Sequence, residues 1–278
     1  MGIFTPQTED PHLKRYADGT RFLADTREHT LEYMFEGQGP HGPYRHLVFS
    51  KGGSSIYRFG IMSFPGYLTI TGDMGTLTFS RTPDMFALFR SPLGEELTIN
   101  PSYWAEKVQA VDSDTKAVYA PTMTAFWRSV VEYVDDALKE ARENRDAALE
   151  EVESEVISSE EDSATEIEGL RAGTREALRV WDARAAIWRQ DFLEEVNNLD
   201  GQQHEDPVAM LRGLREAADD EDVDEEDDNP LTLNGLRSWF DDGLSEEPKT
   251  RYLWLCWAIV WGIRQYDILK SSPVAATP

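Results

Sequence analysis

The side chains best suited to chemistry in this sequence are histidines and acids within its first hundred residues. His41 and His46 lie five residues apart and offer two ligands for a metal ion. A zinc site takes three or four protein ligands, and neither a His-Glu-x-x-His motif nor a cysteine pair completes the set. His12 and His29 are scattered along a predicted helix. We therefore expect histidines at the surface or at a sheet edge, and no metal ligands.

Asp73 is the acid whose surroundings most resemble a site, because Gly72 and Gly75 flank it closely. Glycines let a backbone approach a ligand, and an aspartate beside them can serve as a metal or catalytic carboxylate. The same residues lie between two predicted strands, where glycines at positive φ are typical of a hairpin turn. We expect the hairpin turn and keep the carboxylate site as the alternative.

The candidate nucleophiles lack the settings that activate them. Cys256 lies among large apolar residues, where a thiol keeps a high pKa and stays unreactive. Ser54, Ser55 and Ser80 lie outside any Gly-x-Ser-x-Gly sequence. Neither glycine-rich phosphate-binding motif occurs, so no nucleotide cofactor is expected. The sequence nominates no catalytic or cofactor-binding residue, and we expect a binding protein rather than an enzyme.

The net charge of the 278-residue chain is −25, from 52 acidic and 27 basic residues. Residues 1–100 hold 11 acids and 9 bases, whereas residues 101–278 hold 41 and 18. Lys and Arg supply most of the affinity for phosphate backbones, so direct binding of nucleic acid is disfavoured. An acidic surface can instead occupy a groove made for DNA, because its carboxylates take the place of phosphates. Solvation of the chain, as in a salt-adapted host, is the alternative explanation.

This change in composition predicts two structural units. In residues 1–110 we expect a helix from Leu13 to Phe35, followed by four strands: Tyr44–Ser50, Ser54–Phe64, Tyr67–Thr71 and Gly75–Arg81. The last two alternate apolar and hydroxyl side chains, which indicates an antiparallel sheet covered on one face. Thr82 is expected to cap a short helix that begins at Pro83, and Asn100 to cap another. The predicted fold class is α+β, with an N-terminal antiparallel β-meander packed by helices.

Residues 111–278 are expected to form an acidic and mostly α-helical unit. One helix begins at Pro121, and a second, about Ser163 to Leu199, has apolar residues at spacings of three and four. These two helices are expected to form a long antiparallel hairpin that turns near Ser158–Ser163. Asp219–Asp228 has nine acids in ten residues, which predicts a disordered acidic loop.

The most apolar segment, Arg251–Leu269, is expected to be the helix at the centre of this second unit. Its uncharged stretch is about 18 Å long as a helix, which is too short for a bilayer core of about 30 Å. The first twenty residues contain no apolar leader, and a single cysteine excludes a disulfide framework. These features predict a soluble, cytoplasmic protein without a membrane span.

Three stretches of the chain, taken together, resemble a family of proteins encoded by bacteriophages and prophages. They are Tyr44–Leu47 with Ser54–Phe59, Phe64–Phe86, and Trp254–Asp267. Within that group the chain is similar to phage inhibitors of the Gabija defence system. Those inhibitors are non-enzymatic, and several copies wrap the host nuclease complex and block its access to DNA. The resemblance implies a homo-oligomeric inhibitor in the host cytoplasm that binds this defence complex, and it assigns no site residue.

Two other functions are the alternatives to an inhibitor. A small phage enzyme acting through the histidine-bearing N-terminal unit would depend on residues such as His46 and Asp73. A virion assembly factor would be present in purified particles.

Overall fold

The computed structural model describes residues 5–37, 42–113, 116–158, 164–199, 206–219, 229–241 and 243–271. The chain divides into two compact units. The sheet unit comprises Asp10–Ala120 and Glu247–Pro278, and the helical unit comprises Met1–Glu9 and Pro121–Glu246. Most of the helical unit is therefore inserted, along the sequence, between two segments of the sheet unit. The predicted α+β class is confirmed.

The sheet unit is built on six antiparallel strands that pair in the order in which they follow along the chain. They are β1 (Thr30–Gly37), β2 (Tyr44–Ser50), β3 (Phe59–Phe64), β4 (Tyr67–Gly72), β5 (Gly75–Ser80) and β6 (Val108–Val111). Strands β2 to β5 confirm the predicted four-stranded meander, but β3 begins at Phe59 and not at the predicted Ser54. Gly66 and Gly75, with φ of +86° and +114°, make the turns after β3 and β4 tight, because a Cβ disfavours these angles. A separate two-stranded sheet pairs β7 (Tyr119–Pro121) with β8 (Glu246–Pro248).

The described residues also form nine helices. They are α1 (Pro11–Ala17), α2 (Thr20–Asp25), α3 (Met85–Phe89), α4 (Pro101–Ala105), α5 (Met123–Ser158), α6 (Ala164–Asn198), α7 (Pro207–Asp219), α8 (Leu233–Trp239) and α9 (Thr250–Ser271). Helices α5 to α8 belong to the helical unit, and the others belong to the sheet unit. None of the described helices combines the length and the apolar content that a membrane span needs.

The core of the sheet unit lies between one face of the sheet and α9. Alternate side chains of β2 to β5 point to this inner face and are fully buried: Leu47, Phe49, Phe59, Ile61, Leu68, Ile70, Leu77 and Phe79. Most of α9 is buried as well, because the sheet covers one side and α1, α2 and α3 contact others. Gly262 permits the close approach of α9, since a Cβ there would lie 2.6 Å from Cδ1 of Ile61.

The predicted helix from Leu13 to Phe35 is wrong in its second half. Helices α1 and α2 occupy its first half, and residues 30–37 form the edge strand β1 instead. Gly19 adopts φ of +77° between the two helices, a conformation that ends a helix. The pairing of β1 with β2 shifts register between Leu31 and Tyr33. This bulge breaks the alternation of side chains, so the sequence does not show a period of two.

The apolar C-terminal helix lies in a different unit from the one expected. It was predicted at the centre of a helical unit spanning residues 111–278, whereas α9 is part of the core of the sheet unit. The inner face of the sheet presents large apolar side chains that need a long apolar cover. The chain passes from the sheet unit to the helical unit at Ala120–Pro121, about ten residues after residue 110, and it returns to the sheet unit at Glu246–Glu247.

A second apolar cluster holds the helical unit together. It includes residues of all four of its helices: Phe126, Val130, Val134, Phe192, Val196, Met210, Leu214 and Leu236 are fully or almost fully buried. The predicted apolar seam of α6 is confirmed. Ala185, Phe192 and Val196 are buried, and Leu178, Trp181, Trp188 and Leu199 are half-buried.

Ion pairs between α5 and α6 show that the two helices run antiparallel. Asp135 pairs with Arg189 at 2.6 Å, Arg142 with Asp182 at 3.3 Å, and Glu153 with Arg171 at 3.5 Å. As the residue number rises along α5, the number of its partner falls by the same amount along α6. The predicted hairpin is confirmed over this length. Residues 159–163 of its predicted turn and residues 220–228 of the predicted acidic loop lie outside the described residues.

The two predicted helix caps have different outcomes. Asn100 caps α4 as expected, because its Oδ1 accepts a hydrogen bond from the N–H of Tyr103 at 3.2 Å. The helix predicted to begin at Pro83 begins at Met85, and its cap is Asp84 rather than Thr82. The carboxylate of Asp84 accepts from the backbone N–H of Phe86, a bond that a charged oxygen makes more strongly than a hydroxyl.

Candidate interaction surfaces

Asp73 has a structural role in the turn between β4 and β5. Its Oδ2 accepts a hydrogen bond from the backbone N–H of Tyr57 at 2.8 Å, which ties this turn to the loop between β2 and β3. His46 lies on β2 opposite Met62, toward the C-terminal end of β3. Asp73 directly follows Gly72, which lies opposite Phe59 at the N-terminal end of β3. The structure therefore does not bring His46 and Asp73 into one site.

The histidines are dispersed. His46 contacts a tyrosine ring on β1, and His12 contacts a tyrosine ring on α1. His29 is buried, with its Nε2 at 3.1 Å from the carbonyl oxygen of Tyr57, and His41 lies outside the described residues. Within the ranges that the structure describes, no group of three His, Cys, Asp or Glu side chains converges in a way that suits a metal ion.

An open depression lies beside the end of α2. Its lining includes Asp25, Glu28, His29, Lys51 and Tyr57. Lys51 pairs with Glu28 at 2.9 Å, and Arg21 donates to Asp25 at 3.0 Å. Arg21 also donates to the hydroxyl of Tyr57 at 2.8 Å. These contacts hold the loop after β2 against α2. We therefore assign the polar side chains that line the depression a structural role.

Cys256 lies inside the core, on α9. Burial raises the pKa of its thiol far above the ordinary value, so the sulfur is protonated at neutral pH. Ser54 and Ser55 lie in the loop between β2 and β3, and Ser80 ends β5, where its N–H donates to the carbonyl of Lys107. None of these positions resembles the sharp turn after a strand that exposes a catalytic serine.

A network of charged side chains that was not predicted from the sequence lies on the inner side of the sheet unit. The Arg45 side chain on β2 is 1% exposed, and its guanidinium donates to both carboxylate oxygens of Asp84, at 2.7 and 3.3 Å. Glu36 of β1 accepts hydrogen bonds from the hydroxyl of Tyr266 and the ammonium of Lys270, both on α9. The network fixes the C-terminal part of α9 against β1 and β2.

Two carboxyl groups of this network have lowered pKa values. Burial by itself would raise the pKa of Asp84, but the hydrogen bonds and charge of Arg45 outweigh it. The pKa of Glu36 is lowered as well, because the hydrogen bonds from Lys270 and Tyr266 outweigh the effect of burial. Each acid is therefore ionised at neutral pH and paired with a cation, as buried charges require. We assign the network a role in stability.

The net charge of the protein belongs entirely to the helical unit. The sequence of the sheet unit contains 15 acidic and 15 basic residues, whereas that of the helical unit contains 37 and 12. The charge of −25 is thus segregated more sharply than a division of the sequence at residue 100 indicates, because the segment with α9 belongs to the neutral unit. The two units present different surfaces to any partner.

Exposed acids form a stripe along α5, which we call the acidic stripe. It consists of Glu132, Asp136, Glu140, Glu143 and Glu150, all exposed and at helical spacings on one side of the helix. Other positions of α5 face α6: the guanidinium of Arg145 lies 4.5 Å from the ring of Trp181, and Leu138 packs on the apolar cluster. Beyond Leu138, α5 and α6 are joined by ion pairs and this cation–π contact.

The sheet unit carries a surface of opposite character, which we call the outer face. It is the side of the sheet that faces away from α9. Its side chains form three neighbouring rows across the strands. The middle row is Phe35, His46, Met62, Thr69 and Thr78, and the row on one side of it is Tyr33, Val48, Gly60, Thr71 and Thr76. The row on the other side includes Tyr44, Phe64 and Tyr67. Tyr33 and Phe35 are 50% and 53% exposed, so their rings are available to a partner.

Among the described residues of β1 to β5, those that pair in these rows include no Asp, Glu, Lys or Arg, and the exposed Glu32 lies beside them at the bulge of β1. Its aromatic half lies on β1 to β3 and at Tyr67, and its threonine half lies on β4 and β5. The threonine hydroxyls bond each other across the strands, Thr69 to Thr78 at 3.0 Å and Thr71 to Thr76 at 2.8 Å. An exposed surface of this kind is typical of an interaction site.

Comparison of the chain with protein-family models, curated proteins and solved structures yields no match.

Proposed function

We propose that this chain is a phage-encoded, non-enzymatic inhibitor that acts in the host cytoplasm. In this proposal its helical unit covers the nucleic-acid-binding groove of a host defence complex. The Gabija nuclease complex, which the sequence resemblance implies, is the first partner to test. The observation that carries the proposal is the confinement of the charge of −25 to a unit built around a long helical hairpin.

The linear density of carboxylates on α5 supports a match with such a groove. The five acids of the acidic stripe span Glu132 to Glu150, a length of about 27 Å at about 1.5 Å per residue. This is one carboxylate per about 7 Å, or one for about every two phosphates along one DNA strand, whose rise per phosphate is roughly 3.4 Å. Basic side chains spaced for phosphates would therefore meet a row of negative charge on one side of α5.

The hairpin also presents these acids in a fixed arrangement. Arg189, Arg142 and Arg171 link the two helices through the ion pairs described above, on the side of α5 that faces α6. The acidic stripe is then held on a helix rather than on a loop, so less conformational entropy is lost when a partner binds.

Co-expression with nuclease-based defence systems, Gabija first, tests the proposal. We expect phage plating to recover under at least one system, and affinity purification from infected cells to recover nuclease subunits of that system. If plating stays restricted under every system and no bacterial complex is recovered, the proposal fails.

A matched pair of triple variants separates the acidic stripe from charge in general. Asp136→Asn, Glu140→Gln and Glu150→Gln together neutralise three acids of the stripe. Glu95→Gln, Glu96→Gln and Glu106→Gln neutralise three exposed acids of the sheet unit.

Both triple variants change the net charge by the same amount. We expect the stripe variant to bind the recovered complex roughly tenfold more weakly or worse at low salt, and the sheet-unit variant to bind normally. An equal loss in both would show that the stripe is not the contact.

A further inference from the structure

The geometry points to a second interaction surface: the outer face of the sheet is where two copies of this chain associate, sheet against sheet. This inference goes beyond the proposed function and does not rest on it. Two sheets packed face to face lie about 10 Å apart, which leaves room for one interdigitated layer of side chains such as those of Phe35 and Met62.

The polar groups of the outer face favour burial. In each of the pairs Thr69–Thr78 and Thr71–Thr76 one hydroxyl donates to the other, so covering a pair leaves one hydroxyl proton to be satisfied instead of two. The aromatic half supplies the apolar area that drives association. The face can therefore lose water at a small cost.

The charge distribution of the molecule indicates that the partner bound by the outer face is a second copy of this chain. Nucleic acid needs Lys or Arg on the surface that binds it, and the rows of the outer face contain neither. A basic protein would be drawn to the helical unit, which holds all of the net charge. A second copy repels that same unit, but the rows of the outer face present no charged side chain to it. A neutral, self-complementary surface is what a twofold interface needs.

The area of the outer face sets the expected strength of the dimer. Five strands at about 4.8 Å and three rows of side chains make a surface of roughly 500 Å² on each copy. Two copies together bury about 1,000 Å², which is the lower limit for a specific interface. We therefore expect a dimer with a dissociation constant in the micromolar range rather than a permanent one.

Salt distinguishes this dimer from binding through the acidic stripe. Two copies of charge −25 repel, and the Debye length falls from about 30 Å at 0.01 M salt to about 8 Å at 0.15 M. Dimerisation is therefore expected to strengthen as salt is added. Binding of a basic partner by the acidic stripe weakens under the same change, so the two proposals fail or succeed separately.

Sedimentation over about 1–100 µM protein at both salt concentrations measures the association. Phe35→Lys with Tyr67→Lys places charges on the outer face, and we expect the dimer to weaken roughly tenfold or more. Leu93→Lys with Ile56→Lys is the matched control, because both residues are exposed in the same unit and lie off the sheet. The control is expected to dimerise normally.

A cross-linking experiment on otherwise natural protein gives a second, independent readout. Met62→Cys lies in the middle row on the central strand, so a twofold axis through the face brings it near its equivalent in the other copy. A bismaleimide of about 10 Å should join the two copies, while the buried Cys256 stays unmodified. Ile56→Cys should not cross-link.

Three results would each overturn the inference. The first is a chain that stays monomeric at every concentration and salt. The second is a dimer that the Phe35→Lys, Tyr67→Lys variant leaves intact, or that the control weakens equally. The third is a Met62→Cys variant that cross-links no better than Ile56→Cys.

Discussion

At the scale of single residues, the Arg45 network shows how a charge is accommodated inside the sheet unit. Arg45 shares the inner side of β2 with Leu47 and Phe49, positions that alternate along the strand. A charged residue at such a position requires a partner, because an unpaired buried charge is destabilising. That alternation was visible in the sequence and could have flagged Arg45. Its partner Asp84, which is 39 residues away, could not be identified without the fold.

Asp84→Asn is expected to destabilise the sheet unit. The substitution removes the carboxylate that pairs with the buried guanidinium of Arg45, and breaking a fully buried pair in this way costs about 3–5 kcal/mol. Because the Asp84 side chain is 38% exposed, we expect about 1–3 kcal/mol at pH 7, measured by chemical denaturation. Glu95→Gln, at an exposed carboxylate, is the control and should change stability by less than about 0.5 kcal/mol.

The pH dependence of this difference follows from the lowered pKa of Asp84. The unfolded carboxyl, with a pKa of about 3.9, binds protons more readily than the folded one, so the ion pair stabilises the fold above that pH. The stabilisation is lost as the pH falls through the folded pKa. The difference in unfolding free energy between the natural protein and Asp84→Asn should therefore shrink below about pH 4. A gap that persists at lower pH would contradict this assignment.

At the scale of elements, α9 determines whether the sheet unit has a core. Trp254→Ala removes a fully buried ring that lies 5.1 Å from Phe22 and 5.7 Å from Phe59, between centroids. We expect a loss of about 3–5 kcal/mol, seen as faster hydrogen exchange throughout β2 to β5. Trp239→Ala, at a Trp 43% exposed in the helical unit, should leave those strands protected. Unchanged exchange in Trp254→Ala would mean that α9 does not hold the sheet.

Beyond Leu138 the hairpin is joined by ion pairs and by cation–π contacts at Trp181. Trp181→Ala removes the ring that Arg145 and Arg142 cover, where little apolar surface is buried. We expect faster exchange of amides in the described residues from 139 to 184, and unchanged exchange in residues 123–135. Val180→Ala, on the exposed side of the same turn, is the control. Equal behaviour of the two variants would show that Trp181 adds nothing to the hairpin.

The elements differ in how well the sequence predicts them. Strands with unbroken alternation, such as Leu68 to Thr71, and the seam of α6 are local patterns, and both predictions were confirmed. β1 was not predicted, because its bulge removes the alternation, and the aromatic edge of the outer face was missed with it. The unit to which α9 belongs depends on contacts over some 230 residues, such as Trp254 with Asp25, which no local pattern records.

At the scale of the whole molecule, the helical unit carries the net charge and the sheet unit has as many acidic as basic residues. Residues 220–228 contain eight acids, and the predicted acidic loop is expected to contribute repulsion but little stability. Replacing these eight acids by Asn and Gln keeps the length and brings the net charge from −25 to −17.

We expect the Asn and Gln replacement to leave the melting temperature within about 2 °C of the natural value. Because repulsion falls, dimerisation at 0.01 M salt should strengthen, while binding to a basic complex should weaken. Sedimentation and affinity measurements on the same sample check both directions. A large loss of thermal stability would contradict the prediction of a disordered acidic loop.

The insertion of the helical unit between Ala120 and Glu247 has a consequence for synthesis on the ribosome. Strands β1 to β6 leave the exit tunnel long before α9, yet their inner face lacks its largest cover until α9 emerges. The helices α5 to α8, in contrast, are complete by then and can fold first. We therefore expect the nascent chain to expose an apolar sheet face for most of its translation and to depend on a ribosome-bound chaperone.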